Sequence, residues 1–416
     1  MNVSNTNKMT SISESKELTI VETFVGAGGA HLGFLKAGFK SILVNDNDKD
    51  TIDTLLLNKV INENEYLMCP IEDITEEIIE SKIHEKMKNV DVLFGGIVCK
   101  GFSLAGVRNP FDSRNYLYKH QLRLVSMLKP KVSVIENVTS IKNMMLYVNC
   151  KDTKTTFEDY TKLSDANKLL NGEKSSKRKN GEDYSDLNVV INQNKKKMED
   201  LLKNIDKYKY SVLNDIKQIY QELGYKFYEK ILQTDKYGGY TNRKRIIIVA
   251  VRNDITKEYV YPAEHDVKYT LNDALKLIQY DGINNPTIDE DNKPMKHNKK
   301  TVDRFKLIPE GNNIADVIDD IPDDLKISAF YSRGNTQRLD RKLPVPTLVP
   351  GHSNFPIHPF EHRSITVREA ATITGFPLDY IFCGSHTSRC VQIGNAVPVQ
   401  LSYNIALSIK NLLLDE

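Results

Sequence analysis

The stretch "LTIVETFVGAGGAHLGFLKAG", residues 18–38, decides the fold because it passes from an apolar run through clustered glycines into a helix-like segment. The apolar run predicts a buried strand. Gly26, Gly28 and Gly29 then allow a tight turn and a close approach of the backbone to a ligand. The segment that follows is typical of a helix ending at Gly38. Strand, glycine turn and helix in this order indicate the start of a ligand-binding α/β sheet.

The same alternation continues through the next two hundred residues. Strand-like and helix-like runs follow one another as "SILVND", "TIDTLLLNKVI", "DVLFGG", "YLYKHQLRLVSML" and "KVSVIENV", and the strand-like runs "KFYEKILQT" and "RIIIVAVR" extend the pattern to Arg252. Strand–helix alternation predicts a parallel, doubly wound sheet. We therefore predict one main domain over residues 18–252.

Two regions interrupt this pattern. Residues 151 to about 209 are polar, charged and poor in aromatics, which predicts an inserted, partly helical surface segment. Its basic run at residues 177–179 could be a localisation signal or a DNA-binding patch, but the interleaved acids favour a solvated surface. In residues 253–340 the strand and helix periodicity weakens, which predicts a separate small domain. Residues 341–416 contain two helix-like runs, and we predict that this segment returns to the main domain.

Composition narrows the protein class. The 416 residues carry a net charge of only +2, so charge alone does not indicate a nucleic-acid binder, and 40% are hydrophobic, enough for a real core. The five cysteines form no CxxC pair and no cluster with histidines, which favours a reduced compartment and no metal site. With no signal peptide and no apolar run of membrane-spanning length, we expect a soluble cytoplasmic protein without a membrane partner.

The glycine stretch predicts a cofactor pocket. Asp46 ends the next strand 20 residues after Gly26, where a carboxylate would hold ribose hydroxyls. NAD and S-adenosylmethionine fit this pattern equally well. Phe24 could lie against an adenine ring or pack in the core. Asp73 could accept from an adenine amino group or cap the following helix.

A second set of residues predicts chemistry at the same edge of the sheet. Cys99 follows a buried strand on a glycine-flanked loop, and Glu136 ends a later strand. Arg243 and Arg245 stand at the start of another strand, on one side of the chain. A thiolate attacks electrophilic carbon, a carboxyl can donate to a ring nitrogen, and an arginine stabilises developing negative charge. Singly, each of these residues could be structural, and periodicity does not identify the substrate.

The motifs, taken in order, resemble those of the DNA (cytosine-5)-methyltransferase family over most of the chain. "FVGAGG" is similar to the first cofactor motif, "GGIVCKGFS" to the Pro-Cys-Gln loop, "SRNYLY" to the next motif, and "ENV" is identical to the family's Glu-Asn-Val. "YGGYTNRKR" resembles the arginine motif, and "RSITVREAATITGFP" and "QIGNAVPVQLS" resemble the last two motifs. Residues 151–209 and 253–340 lie outside the resemblance.

The resemblance implies a fold and a set of roles. The fold is a Rossmann-like methyltransferase sheet, mostly parallel with helices on both faces, plus a small target-recognition domain. Cys99 would attack C6 of a flipped-out cytosine, Glu136 would hydrogen-bond N3, and Arg243 and Arg245 would support the ring and Glu136. S-adenosylmethionine would be held by Phe24, Gly26, Gly28, Asp46, Asn47, Asp73, Ile74, Leu117, Asn395 and Val397.

The chain departs from the family pattern around the nucleophile. Val98 and Lys100 flank Cys99 where the family has proline and glutamine, and Asn115 replaces a glycine. Residues 239–241, "GYT", replace Val/Ile-Pro-Gln. Lys100 could contact a phosphate or remain solvated. All of the reacting groups are retained.

The resemblance also implies partners. Residues 253–340 would read the target sequence in double-stranded DNA, and we expect "YSRGNTQR", residues 331–338, to be either a groove-reading stretch or an ordinary polar turn. The basic residues that could contact DNA from this region and its end are Lys296, Lys299, Lys300, Arg304, Arg333, Arg338 and Arg341. The protein would be a monomeric bacterial modification enzyme, paired functionally with a cognate restriction endonuclease without a stable complex.

Three other functions are compatible with parts of the sequence. An RNA cytosine methyltransferase of this family would usually carry a Cys-Phe-Thr tripeptide, which the sequence lacks. A non-catalytic DNA-binding relative would not need Cys99, Glu136 and Arg245. A nicotinamide-dependent oxidoreductase would explain the glycine turn but neither "ENV" nor "GNAVP".

Overall fold

The computed structural model describes residues 17–84, 89–97, 112–280, 289–327, 336–349 and 355–414. Its main feature is a seven-stranded sheet, with a separate two-stranded ribbon beside it. The strands are β1 Thr19–Thr23, β2 Lys40–Asp46, β3 Tyr66–Met68, β4 Val92–Gly96, β5 Val132–Asn137, β6 Met145–Tyr147, β7 Lys209–Ser211, β8 Tyr225–Gln233 and β9 Lys244–Arg252.

The sheet has the order β3-β2-β1-β4-β5-β9-β8. The strands from β3 to β5 are parallel, as predicted. β9 runs antiparallel to β5 and β8 runs antiparallel to β9, so this edge departs from the parallel sheet that the strand–helix alternation indicated and fits the mostly parallel sheet that the family resemblance implied. β8 and β9 are joined by a short connection, which permits antiparallel pairing without a crossover helix.

Both faces of the sheet are covered by helices because the inner strands carry mostly apolar residues on both faces. Alternate residues of β9 enter different core clusters: Ile246, Ile248 and Ala250 on one face, and Ile247, Val249 and Val251 on the other. The first face packs against helices α3, α4 and α7, and the second against α1 and α12. A mostly parallel sheet with helices on both faces, as the family resemblance implied, is confirmed.

The helices begin and end where local sequence signals stand. Thr75 caps α3, Ser211 caps α7, and Thr366 forms a capping box with Glu369 at the start of α10. Within the described ranges, no helix is long and apolar enough to cross a membrane. The helices are α1 Gly29–Lys36, α2 Lys49–Leu57, α3 Glu76–Ile83, α4 Leu117–Leu128, α5 Lys151–Asn180, α6 Ser185–Asn204, α7 Val212–Glu222, α8 Leu271–Tyr280, α9 Lys299–Lys306, α10 Val367–Thr374, α11 His386–Asn395 and α12 Val399–Leu414.

The polar insert, predicted as a partly helical surface segment, forms a helical hairpin of α5 and α6. The two helices face each other through Ile191 and through a buried pair, in which Asn194 Nδ2 donates to Asn167 Oδ1 at 3.0 Å. A buried amide pair of this kind fixes the register of two helices. Gly181, with φ of 73°, ends α5 in the left-handed region that glycine favours.

Helix α12 packs beside helix α1 and completes the core on that face of the sheet. α12 packs along α1 in the cluster that contains Phe34, Leu401 and Ile405. The approach is close: a Cβ atom added to Gly33 would lie 2.1 Å from Ser402 Oγ and 2.6 Å from the Tyr403 nitrogen. Glycine is therefore required on α1 where α12 crosses it.

Residues 253–340 divide between several cores. Ile255 and Tyr259 pack on the α12 face of the sheet, and α8 packs with α10. A separate small cluster consists of Phe305, Ile308, Ile314, Ile321 and Ile357. The domain boundaries at residues 252 and 340 stay a prediction.

We predict that Gly33→Ala destabilises the protein by about 1–3 kcal/mol, the usual cost of overpacking a tight interface. The added methyl group would collide with the α12 backbone. The midpoint of thermal unfolding measures the effect.

Gly172→Ala is the matched control. A Cβ atom at Gly172, in the exposed part of α5, would meet no atom within 4 Å. Alanine is the better helix former by about 1 kcal/mol, so this variant should be as stable as the wild type or more stable. Equal midpoints for Gly33→Ala and the wild type would contradict the packing argument.

Candidate active site

The candidate site lies at the edge of the sheet where the parallel strands end. Strand register places Thr23 beside Gly95 and Gly96 beside Glu136, so the ends of β1, β4 and β5 are neighbours. A Cβ atom on Gly96 would lie 3.8 Å from the Phe24 carbonyl oxygen and 3.9 Å from Glu136 Oε2. The predicted cofactor loop and the predicted catalytic carboxylate therefore flank one glycine. Ligands of open α/β sheets bind at this edge.

The loop after β1 has a backbone shaped for a ligand. Phe24, Gly26 and Gly28 all have positive φ angles, of 53°, 54° and 86°. A phenylalanine in this region is strained, and such residues cluster at functional sites. A Cβ atom on Gly26 would meet nothing within 4 Å, whereas one on Gly28 would lie 2.7 Å from Leu55 Cδ2. Gly26 thus faces open space, and Gly28 permits close packing behind the loop.

Asp46 holds this loop from the end of β2. Its Oδ2 accepts from the Gly26 nitrogen at 2.9 Å and its Oδ1 from the Asp48 nitrogen at 3.1 Å. Burial raises the pKa of Asp46, and the hydrogen bonds from Gly26 and Asp48 partly offset that shift. Asn47, the next predicted residue, is exposed. The predicted spacing between Gly26 and Asp46 corresponds to a direct contact.

The residues predicted to form the apolar wall of the pocket lie close together, and Asp73 lies beside them. Ile74 and Leu117 belong to one core cluster, against which the half-buried Phe24 packs. Asp73 is exposed at the end of a short 3-10 turn, and the cap of α3 is Thr75, so the alternative that Asp73 caps this helix is wrong. The Asn45 amide fixes the chain leading to this turn by donating to the carbonyls of Leu67 and Cys69.

The C-terminal motif reaches the glycine loop. A Cβ atom on Gly29 would lie 2.3 Å from the Val397 carbonyl oxygen, so residue 397 touches the start of α1. Two further ties were not predicted: the Tyr380 hydroxyl donates to the Ala27 carbonyl at 2.8 Å, and Ser402 Oγ donates to the Gly29 carbonyl at 3.2 Å. These hydrogen bonds carry no sequence signal, because each hydroxyl donates only to main-chain oxygen.

Glu136 is buried and faces Arg245. The Arg245 Nε atom lies 2.7 Å from Glu136 Oε1, as an ion pair rather than a well-aligned hydrogen bond. β9 begins at Lys244 and runs antiparallel to β5, with Ile247 opposite Glu136. The start of β9 therefore meets the end of β5. In the parallel sheet that the alternation predicted, the arginines would have lain at the opposite edge.

Arg243 points elsewhere than Arg245. Its guanidinium is buried and donates to the carbonyls of Gly394 at 2.7 Å and Asn395 at 3.2 Å. Burial and the neighbouring Arg245 charge lower the pKa of Arg243, against the opposing effect of Glu136. In the described part of the chain, no hydrogen bond joins Arg243 to Glu136. Asn395 itself is exposed at the end of α11.

Cys99 lies outside the described residues, together with Val98 and Lys100. Ile97 is the last described residue before Cys99, and its carbonyl accepts a hydrogen bond from Asn137 Nδ2 at 3.3 Å. Asn137 follows Glu136 directly, so the strand end that holds the carboxylate also holds the chain that leads to Cys99. Asn115, which replaces a family glycine, is buried at the start of α4.

The predicted DNA-reading stretch is corrected in part. Residues 331–335, including Arg333, lie outside the described residues. Arg338 is buried and donates to the carbonyls of Phe305, Ile308, His358 and Glu361, so the prediction that it reads a groove is wrong. The sequence does not show that an arginine in this polar stretch points into the protein and binds main-chain carbonyls.

The other cations of this region differ in their partners. Arg304 donates to the Leu325 carbonyl, and Arg341 pairs with Glu310 through two hydrogen bonds. Lys296, Lys299 and Lys300 are exposed. Among the residues that the structure describes, no cluster of histidine, cysteine and carboxylate side chains could hold a metal ion.

Comparisons with known proteins identify the family of the chain. The family model described as "C-5 cytosine-specific DNA methylase" matches residues 18–164 and 194–411. The type II methyltransferase M.Eco47II of Escherichia coli is 30% identical over 407 residues, 95% of this chain and 79% of the relative. M.Sau96I of Staphylococcus aureus, also a type II methyltransferase, is 28% identical over 418 residues, 97% of this chain and 78% of the relative.

Solved structures support the fold. A protein from E. coli, described as a DNA modification methyltransferase encoded within a prophage, superposes with a TM-score of 0.64 at 22% identity, covering 96% of this chain and all of that one. A triple-substitution variant of Spodoptera frugiperda DNMT2 gives a TM-score of 0.53 at 13% identity, covering 95% of this chain and all of that one.

The sequence resemblance to this family is thereby confirmed. The motif order, the sheet and the match over most of the chain agree, and the relatives are methyltransferases of type II restriction–modification systems. The protein belongs to the C-5 cytosine-specific DNA methylase family and is a DNA (cytosine-5)-methyltransferase of the type II kind.

Proposed function

We propose that S-adenosylmethionine is the methyl donor and binds along the ends of β1, β2 and β4. The residues present fit this group. The open space over Gly26 admits a ligand, and Asp46 at its side can accept from ribose hydroxyls. Phe24, Ile74 and Leu117 offer an apolar wall for an adenine, with the Asp73 carboxylate exposed beside Ile74. The remaining contacts would come from Gly28, Asn47, Asn395 and Val397.

The proposed reaction uses Cys99, Glu136 and Arg245. The Cys99 thiolate forms a bond to C6 of the cytosine, while the Glu136 carboxyl donates a hydrogen bond to N3, which withdraws electron density from C6 and makes it electrophilic. Arg245 holds Glu136 in place and stabilises charge on the base. When bound, S-adenosylmethionine supplies an electrophilic methyl group. C5 would then take that methyl group, with S-adenosylhomocysteine as the leaving group, after which a base would remove the C5 proton and the bond from Cys99 to C6 would break to restore the thiolate.

The target cytosine must leave the duplex for this reaction. Neither face of a stacked, paired base is open to attack at C6, so we infer that the base is flipped into the pocket beside Gly96. The carboxylate at Glu136 is buried within the sheet edge, which a base still in the helix would not reach.

The proposed biological role is protection of DNA from a cognate restriction endonuclease. The curated relatives are named as type II methyltransferases. Methylation of one specific duplex sequence would block cleavage there, without any stable complex between the two enzymes.

The contact between Arg245 and Glu136 is the observation that carries the proposal, because it assembles a base-binding carboxylate next to the strand that leads to Cys99. The test is to incubate unmethylated bacterial DNA with the protein and S-adenosylmethionine, and to measure nucleosides by mass spectrometry. We expect 5-methylcytosine with the wild type and none with Cys99→Ser, because a serine hydroxyl is a far weaker nucleophile than a thiolate.

Cofactor binding by Cys99→Ser is the control and should equal that of the wild type. A measurable methylation rate in this variant would contradict the covalent mechanism. 5-Methylcytosine in an RNA substrate but not in DNA would contradict the substrate assignment.

We further predict that Asp46→Asn weakens binding of S-adenosylhomocysteine by roughly tenfold or more, through loss of hydrogen bonds to a charged acceptor. The wild type should also bind less tightly as the pH falls through the raised pKa of Asp46, because the protonated carboxyl is a poorer acceptor. That acid-side loss should be absent in Asp46→Asn. Isothermal calorimetry across a pH series measures both effects.

Asp48→Asn is the matched control, two residues away. Asp48 caps α2 by accepting from the Thr51 nitrogen, a role that asparagine also fills. Its affinity for S-adenosylhomocysteine should equal that of the wild type. If both variants bind equally, the ribose does not lie at Asp46.

A further inference from the structure

Arg243 satisfies the end of helix α11. The last carbonyls of a helix have no partner within it and carry partial negative charge. Arg243 donates one nitrogen to the Gly394 carbonyl at 2.7 Å and another to the Asn395 carbonyl at 3.2 Å, across 151 and 152 residues of sequence. Its planar fork spans both oxygens with a fixed spacing, whereas a lysine would place a single compact ammonium there.

The segment that follows this helix end runs to the glycine loop. After Asn395, the chain leaves α11 and passes Val397, whose carbonyl oxygen would be 2.3 Å from a Cβ atom on Gly29. A shift of the α11 end would therefore move the main chain that touches the start of α1. Both Asn395 and Val397 are residues that we place at the cofactor.

Arg243 also stands two residues before Arg245, at the entrance of β9. Thr234 holds this point of the main chain, since its nitrogen and its hydroxyl both donate to the Arg243 carbonyl, at 3.0 Å and 3.1 Å. Arg245 in turn contacts Glu136 at 2.7 Å. Residues 243–245 therefore carry both cations: Arg245 contacts the Glu136 carboxylate, and Arg243 binds the end of α11.

We propose that Arg243 is a positioning residue for the cofactor pocket, fixing the α11 end and the chain through Val397 against the glycine loop, and is not a group that acts on the base. This inference rests on the proposed binding of S-adenosylmethionine. It divides the two arginines of one motif between two tasks: Arg245 serves the carboxylate, and Arg243 serves the methyl-donor side.

The test compares Arg243→Lys with its matched variant Arg245→Lys. Each keeps the positive charge and loses the fork. For Arg243→Lys we expect binding of S-adenosylhomocysteine to weaken by roughly tenfold, the size of one hydrogen bond to a charged donor, with KM for S-adenosylmethionine rising in parallel. Its kcat at saturating S-adenosylmethionine should fall far less than KM rises.

Arg245→Lys should show the opposite division. Its affinity for S-adenosylhomocysteine should stay within about twofold of the wild type, while kcat falls by roughly a hundredfold or more, as for loss of a transition-state donor. Arg243→Lys with unchanged affinity and a kcat as low as that of Arg245→Lys would overturn the inference. A wild type that binds no S-adenosylhomocysteine would instead overturn the proposed function itself.

Hydrogen exchange on the wild type gives a second test that does not depend on whether Arg243→Lys folds. Addition of S-adenosylhomocysteine should slow amide exchange in residues 393–398 and in residues 243–246 together, since Arg243 joins them. Protection confined to residues 393–398 would contradict the link.

Discussion

The reversal of β9 is the constraint on which the active edge depends. In a parallel sheet, all strands end at one edge and all begin at the other, so a residue at a strand start cannot meet one at a strand end. β9 runs against β5, and Arg245 at its start consequently contacts Glu136 at the end of β5. The short connection from β8 to β9 makes this reversal possible, and Gly96 of β4 keeps the space between the carboxylate and the cofactor loop open.

A second constraint joins the two ends of the chain. The glycine loop near the N-terminus is supported by Val397, Ser402 and Tyr380, all from the last forty residues. Gly29 and Gly33 permit the contact, because any side chain there would collide with the C-terminal segment. The C-terminal segment thus supports the glycine loop, and Arg243 extends the same connection to β9.

Much of this arrangement was predictable from the sequence, and the exceptions have physical reasons. The contact between Gly26 and Asp46 follows from spacing, since a strand–turn–helix unit brings the next strand end to the glycine turn. The direction of β9 does not, because an apolar run such as Ile246–Val251 reads the same in a parallel or an antiparallel strand. Arg338 looked like a surface cation because sequence does not reveal the five acceptors that surround it, four carbonyls and His362. The segment of α5 and α6 was predicted only as a partly helical surface segment, and its hairpin packing was not predicted, because its buried seam includes asparagines that are usually found at the surface.

The most direct measurement is a double-mutant cycle on Glu136 and Arg245, using single-turnover methyl transfer to duplex DNA at saturating S-adenosylmethionine. If the pair acts as one unit, Glu136→Gln combined with Arg245→Lys should be hardly slower than the slower single variant, with a coupling energy of at least about 1 kcal/mol. If the two rate losses multiply, the residues act independently, and the account of this edge of the sheet is wrong.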